Sequence, residues 1–210
     1  MTAGARSDAG PNYDNSTASG NMAQMIYLDN SATTRPSPAA AEAAERMIRE
    51  DFGNPSSLYK IGLDAEKVVK AARKAVAGSF GASADEAFFT SGGTESDDTA
   101  LFGVWESRKK QGSRIISTAV EHPAVLRCLD VLKNRGSDVV LIPVKKDGNL
   151  DMDALADAMN DKTVLVSVMH VNNETGAIFP IADIAELIRK RFGGDINARP
   201  LMHSDCVQSL

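Results

Sequence analysis

The chain has 210 residues, of which 43% are apolar and 24% charged, with a formal net charge of −5 at pH 7. That is ordinary globular composition and enough chain for one sizeable domain or a large part of one. The acidic balance leaves no general basic field for nucleic acid or an anionic membrane, and the local run Arg189, Lys190, Arg191 reads as a solvated helix end.

The two cysteines, Cys128 and Cys206, fit neither a zinc-ligand spacing nor a Cys-x-x-Cys redox pair, and they do not form a disulfide framework. The longest apolar run, near VLVSVMHV, is too short to span a bilayer. The N-terminus lacks the charged-then-apolar pattern of a secretory signal. The expectation is a cytoplasmic protein that binds neither nucleic acid nor membrane.

Residues 1–24, rich in Gly, Ser, Ala and Asn, bury too little apolar surface to offset chain entropy and are expected to be a disordered tail. The folded part is then 25–210. IYLD is strand-like and NSATTRPSP a loop. AAAEAAERMIRED is a helix by propensity. After the loop GNPSS, Ala65, Val68, Val69, Ala72 and Val76 recur at helical spacing. EAFFT follows as a strand and TESDDTALFGVWESRKK as a helix. RIIST is a strand, and HPAVLRCLDVLKNR a helix closed by Gly136. DVVLIPV is a strand, and MDALADAMN a helix capped by Asp151 with Asp153 in its first turn. TVLVSVMHV is an apolar strand, IADIAELIRKRF a helix closed by Gly193 and Gly194, and PLMHSD a last strand.

Strand alternating with helix specifies an α/β fold with a mainly parallel sheet covered by helices. Ligands in such sheets sit beyond the carboxyl ends of the strands. The loops after Phe89, Thr118, Val171 and Ser204 are therefore the places for chemistry, and all of them carry polar groups.

In SGGTES, Gly92 and Gly93 allow close backbone approach, and a helix beginning at Thr94 presents free N–H groups to an anion such as phosphate. A plain glycine turn with Thr94 as helix cap is the competing reading. The spacing fits neither GxGxxG nor GxxxxGK[ST], which disfavours a nucleotide-binding Rossmann or P-loop protein. In EHPAV, His122 could stack on a flat ring or move a proton, or make only a local bond at a helix start. In HVNNETG, the amides of Asn172 and Asn173 can meet a carboxylate or a ring oxygen, or build an Asx turn. In HSDCVQ, Asp205 stands at a strand end with Gln208 after it. A carboxylate in a dry site needs a cationic partner, and a protonated pyridine nitrogen at about 4 Å would supply roughly 4 kcal/mol at an effective dielectric of about 20. A metal site from His170, His203 and Asp205 is the rival there. Phosphate, a flat ring, a ring nitrogen and a ring oxygen together outline pyridoxal 5′-phosphate (PLP).

YLDNSATT, GNPSS, FTSGGTES, EHPAV, VSVMHVNNETG and HSDCVQ occur in order. With them, residues 26–210 closely resemble the cysteine desulfurases of the class V aminotransferase superfamily. The resemblance implies a PLP-dependent transferase of fold type I, with this chain contributing a large-domain portion. It implies a homodimer that converts L-cysteine to L-alanine. The sulfur passes as a persulfide to a sulfur-acceptor or iron–sulfur scaffold protein, for cluster or thio-cofactor assembly. Carried over by motif, Gly93 and Thr94 hold the phosphate, and His122 stacks on the ring and helps proton transfer. Asn173 lies beside the cofactor oxygen and substrate carboxylate, Asp205 pairs with the pyridine nitrogen, and Gln208 donates to the ring oxygen.

Asp98 stands where asparagine is common, Thr175 where isoleucine is, and Cys206 where alanine is. RFGGDINARP is longer than the usual link. Cys206 is expected to be a buried small residue. The family's SGHK-type lysine motif, acceptor cysteine, substrate-binding arginine and small domain are not met before Leu210. The expectation is a truncated member, inactive alone and without the covalent anchor. Alternatives are another class V PLP enzyme, such as a selenocysteine lyase, or a non-catalytic remnant acting as a dimerisation module.

Overall fold

The computed structural model describes residues 26–209; the tail expected over 1–24 lies outside them. Residues up to Arg35 and the segment Pro36–Leu210 form two separate compact units. In the first, IYLD is not a strand. Its local order is a turn, in which the Tyr27 hydroxyl donates to the carbonyls of Asp29 at 2.8 Å and Thr33 at 3.0 Å.

The second unit opens with α1 (Pro38–Arg49), where Ser37 Oγ accepts from the Ala40 N–H at 3.2 Å and Pro38 sits at the first helical position. None of its residues is buried. The long α2 (Lys60–Ser79) buries only Gly62, Ala65 and Ala77, leaving Ala72 and Val76 exposed despite their helical spacing. A 3₁₀ turn, Ala84–Glu86, follows. EAFFT forms no strand, and Phe88 is 80% exposed. Aromatic residues favour a strand only where a neighbouring strand completes the ladder, and here none pairs with them. The Arg73 guanidinium holds this segment instead, 5.1 Å from the Phe89 ring centre and bonded to the Ala87 carbonyl.

From α3 (Gly93–Arg108) onward the alternation holds. It runs β1 (Arg114–Thr118), α4 (Pro123–Asn134), β2 (Asp138–Ile142), α5 (Met152–Ala158), β3 (Thr163–Ser167), α6 (Ile181–Phe192) and β4 (Leu201–His203). Gly136 (φ 97°) and Gly193 (φ 83°) take the left-handed conformation just past α4 and α6, where a β-carbon would be strained. Asp151 Oδ1 caps α5 by accepting from the Ala154 N–H at 3.1 Å.

The strands form one parallel sheet in the order β2-β1-β3-β4. Side chains alternate between its faces. Ile115 and Leu165 join Leu101 and Trp105 of α3 and Val125, Cys128, Leu129 and Leu132 of α4 in one core. Ile116, Ile142 and Val166 join Leu155 of α5 and Ile184 and Ile188 of α6 in the other. The expected last strand is short, yet its ladder continues past His203. Val168 N–H donates to the His203 carbonyl at 3.1 Å, and His170 N–H to the Asp205 carbonyl at 2.9 Å.

The long link after α6 is pinned from the far end of α3. Arg108, 9% exposed, donates through Nη1 to the Arg199 carbonyl and through Nη2 to the Ile196 carbonyl, both at 2.7 Å. That contact gives the extra residues a fixed path into β4.

Candidate active site

The sheet places four loops at one end, and hydrogen bonds stitch three of them together. From the loop after β1, Val120 offers its carbonyl to Asn172 Nδ2 at 2.9 Å, and Glu121 takes the Met169 N–H at 3.0 and 3.2 Å. The loop after β3 is held to the loop after β4 by the His170–Asp205 backbone bond. The start of α3 meets the same region. A β-carbon added at Gly93 would lie 3.2 Å from Val207 Cγ2, so glycine permits this close approach.

The helix begins at Gly93, one residue before Thr94, and Gly92 occupies the cap position. No side chain caps it. Gly93 and Thr94 are exposed, so the first N–H groups and the positive end of a 16-residue helix face outward. Glu95, in the first turn, folds back toward the residue before the cap to accept from the Ser91 N–H, and this bonding holds its carboxyl below the usual glutamate range. Thr90 and Ser96 share a hydroxyl–hydroxyl bond of 2.7 Å that fixes the turn.

His122 is the cap of α4, its Nδ1 accepting from the Ala124 N–H at 3.2 Å. The local bond and an outward ring therefore coexist. With Nδ1 occupied as an acceptor, the neutral ring carries its proton on Nε2. The residue is exposed, so a flat ligand can reach the imidazole.

The two asparagines divide the alternatives between them. Asn172 is 5% exposed and builds the turn, its Oδ1 accepting from the N–H groups of Glu174 (3.0 Å) and Thr175 (2.9 Å) and from the Thr175 hydroxyl (3.0 Å). Threonine at 175 thus adds a bond that an isoleucine could not. Asn173 is left half-buried, donating only to Glu174 Oε1 at 3.3 Å.

Asp205 is half-buried beyond β4, with Oδ1 accepting from the Val207 N–H at 2.9 Å. No protein donor among the described residues bonds Oδ2. Gln208 lies in the turn that follows, also half-buried. Cys206 is part-exposed rather than buried, because it sits in this loop, 3.7 Å from the Ser204 hydroxyl. Among the described residues no His, Cys, Asp or Glu group has the arrangement of a metal site.

Sequence reasoning passed over Glu121, Asp97 and the true partners of His203. Glu121 is 4% exposed, and burial pushes its carboxyl up to about 7 against the bonds from Met169 and Thr118. His203 Nδ1 lies 2.9 Å from Ser167 Oγ, and its Nε2 lies 3.5 Å from Asp97 Oδ1. A polar residue on a strand whose face is otherwise apolar was the available signal for His203. Glu121 carried none beyond its place beside His122.

An uncapped helix start, a reachable imidazole and a carboxylate with one unbonded oxygen suit an anionic tail, a flat ring and a cationic ring nitrogen respectively. The donor set fits PLP.

The family model for aminotransferase class-V matches residues 26–209. A NifS/IcsS protein homolog from Lactobacillus delbrueckii subsp. bulgaricus is 44% identical over 164 residues, covering 78% of this chain and 43% of the relative. A cysteine desulfurase IscS from Methanosarcina thermophila is 40% identical over 187 residues, covering 89% and 45%. Among solved structures, a NifS-like protein superposes with a TM-score of 0.83 at 37% identity, covering 88% of this chain and 50% of that one. The structure titled SspA in complex with cysteine gives 0.81 at 29% identity, covering 88% and 51%. The chain thus spans about half the length of the relatives it matches. Sequence, sheet order and these likenesses agree: the chain belongs to the aminotransferase class-V family.

Proposed function

We propose that this chain forms the cofactor-holding wall of a PLP-dependent cysteine desulfurase, acting on L-cysteine to give L-alanine and a persulfide sulfur. What supports the reading is that the Gly93 end of α3 meets Val207, two residues after Asp205, and that Glu121, beside His122, is bonded to the Met169 N–H just past β3. Relatives named cysteine desulfurase and a neighbour in complex with cysteine support the substrate.

When bound, PLP supplies an electron sink for charge left on the substrate's α-carbon. The chain's own groups do the rest. The N–H groups of Gly93 and Thr94 and the Thr94 hydroxyl hold the phosphate. Asp205 Oδ2 would hold the ring nitrogen in its protonated state by charge attraction. The His122 imidazole would pack on the ring, with Nε2 as its proton-carrying atom. Asn173 and Gln208 orient the ring oxygen and the substrate carboxylate. None of these loops contains a lysine, so their contribution to holding the cofactor is non-covalent.

A cytoplasmic homodimer that delivers sulfur to an acceptor or iron–sulfur scaffold protein completes the proposal. The exposed Ile61, Leu63, Val76 and Phe80 of the α2 region support a second copy. Fluorescence titration with PLP tests the site: saturable binding, weakened by inorganic phosphate, is expected. Absence of saturable binding overturns the assignment.

A further inference from the structure

One row of the sheet breaks the apolar pattern on the face under α3 and α4. The preceding rung is Val139, Ile115, Leu165 and Leu201, all packed in the core. The next rung is Leu141, Ser117, Ser167 and His203. Ser117 and Ser167 are at most 1% exposed, and the Ser117 hydroxyl has no hydrogen-bond partner. His203 completes the row by reaching Ser167 on one side and Asp97 of α3 on the other. The side chains of His203 and Asp97 are only 15% and 8% exposed.

A serine, histidine and aspartate in sequence resemble a nucleophilic triad. Ser167 is 1% exposed and lies beneath a helix, so no acyl substrate reaches its oxygen. Stability does not explain the row either. Apolar groups of similar volume usually serve as well as a buried charged pair, because desolvation offsets the attraction. What such a pair does supply is a fixed distance and register.

The geometry assigns to His203 a positioning role: with Ser167 and Asp97 it braces α3 against β4, setting the offset between the helix start and Asp205. Asp97 lies one helical turn below Gly93 and Thr94, on the same face. His203 ends β4 two residues before Asp205, and the His170 N–H bond to the Asp205 carbonyl carries the same ladder on to that residue. A ring bonded to Ser167 at Nδ1 and facing Asp97 at Nε2 favours one orientation, which couples the helix start to the end of β4. The brace rests on the cofactor reading only for its purpose, since its mechanical effect exists without any ligand.

The test uses the whole chain in three forms: wild type, Ser167→Ala, and the double variant Asp97→Leu with His203→Leu. Amide hydrogen exchange without ligand is measured as protection factors over residues 96–99, the first amides of α3 that are hydrogen-bonded, with PLP titration alongside. The brace predicts protection at 96–99 at least fivefold lower in the double variant and about threefold lower in Ser167→Ala, with exchange in β1 and β3 unchanged. Where wild type binds PLP, the dissociation constant rises about tenfold in the double variant. Protection at 96–99 within twofold of wild type in both variants overturns the brace. If the double variant fails to fold, Ser167→Ala decides alone, because it removes one hydroxyl and keeps the packing. Wild type that binds no PLP overturns the cofactor assignment and leaves the exchange result to judge the brace.

Discussion

The backbone N–H of Met169 points between the two carboxylate oxygens of Glu121, 3.0 Å from Oε1 and 3.2 Å from Oε2. Thr118 Oγ1 donates to Oε1 from the other side at 2.7 Å. This buried carboxyl locks the loop that carries His122 onto the end of β3. Burial nevertheless pushes it up to about 7 from an ordinary 4.5. The folded state therefore binds more protons than the unfolded state between those values. Its stabilising contribution is complete below the unfolded value and is lost as pH rises through 7. The loss amounts to about 3 kcal/mol at most, at 1.36 kcal/mol per pKa unit. Glu121→Gln is expected to flatten the pH dependence of stability between about pH 4.5 and 7 relative to wild type. Urea melts across that range check it; parallel curves for the two proteins would refute the assignment.

Asp205→Asn keeps an oxygen for the Val207 N–H and removes the charge. The fold should therefore persist, with a melting temperature close to wild type, while PLP affinity falls at least about tenfold, or 1.4 kcal/mol. Equal affinity in the two proteins would remove Asp205 from the site.

Arg108→Leu keeps much of the side chain's bulk and abandons the carbonyls of Ile196 and Arg199. Hydrogen bonds to a charged group are worth about 1.5–3 kcal/mol each, so losing the two is expected to cost about 3–6 kcal/mol in urea unfolding. Proteolysis should then add cuts within residues 194–199 that wild type lacks. An unchanged cleavage map would show that the link holds its path without the arginine.

The cysteines should separate cleanly in alkylation. Burial, with Asp98 adding to it, pushes the Cys128 thiol up to about 12. At pH 8 its thiolate fraction is on the order of one in ten thousand. Cys206 is part-exposed. Iodoacetamide is expected to label Cys206 alone until denaturant is added, with mass spectrometry locating the adduct. Early modification of Cys128 would mean that α4 opens readily.

The sequence showed the parts of this fold that are settled within one element. Asp151, Gly136 and Gly193 punctuate helices through local bonds and local dihedrals, and they do so here as read. EAFFT and IYLD failed for the opposite reason: a strand exists through its neighbour, and a neighbour is not visible in five letters. The asparagine pair shows the same limit inside the site. Asn172 and Asn173 have identical chemistry, and only the folded chain shows that Asn172 is tied to the Val120 carbonyl and its own turn while Asn173 stays half-buried beside Glu174. His203 was visible as a polar residue on a strand, but Asp97 is distant in sequence, so their pairing needed the packed helix.

The weak burial of α1 and α2 shapes how the chain comes apart. Neither helix anchors a large apolar side chain in either core. Their opening therefore costs little beyond their own turns, whereas β1 and β3 open only with the whole. Trypsin at low dose would cut at the Lys and Arg sites of α1 and α2 while the sheet stays whole, so this unit should behave as a hard kernel with a soft flank.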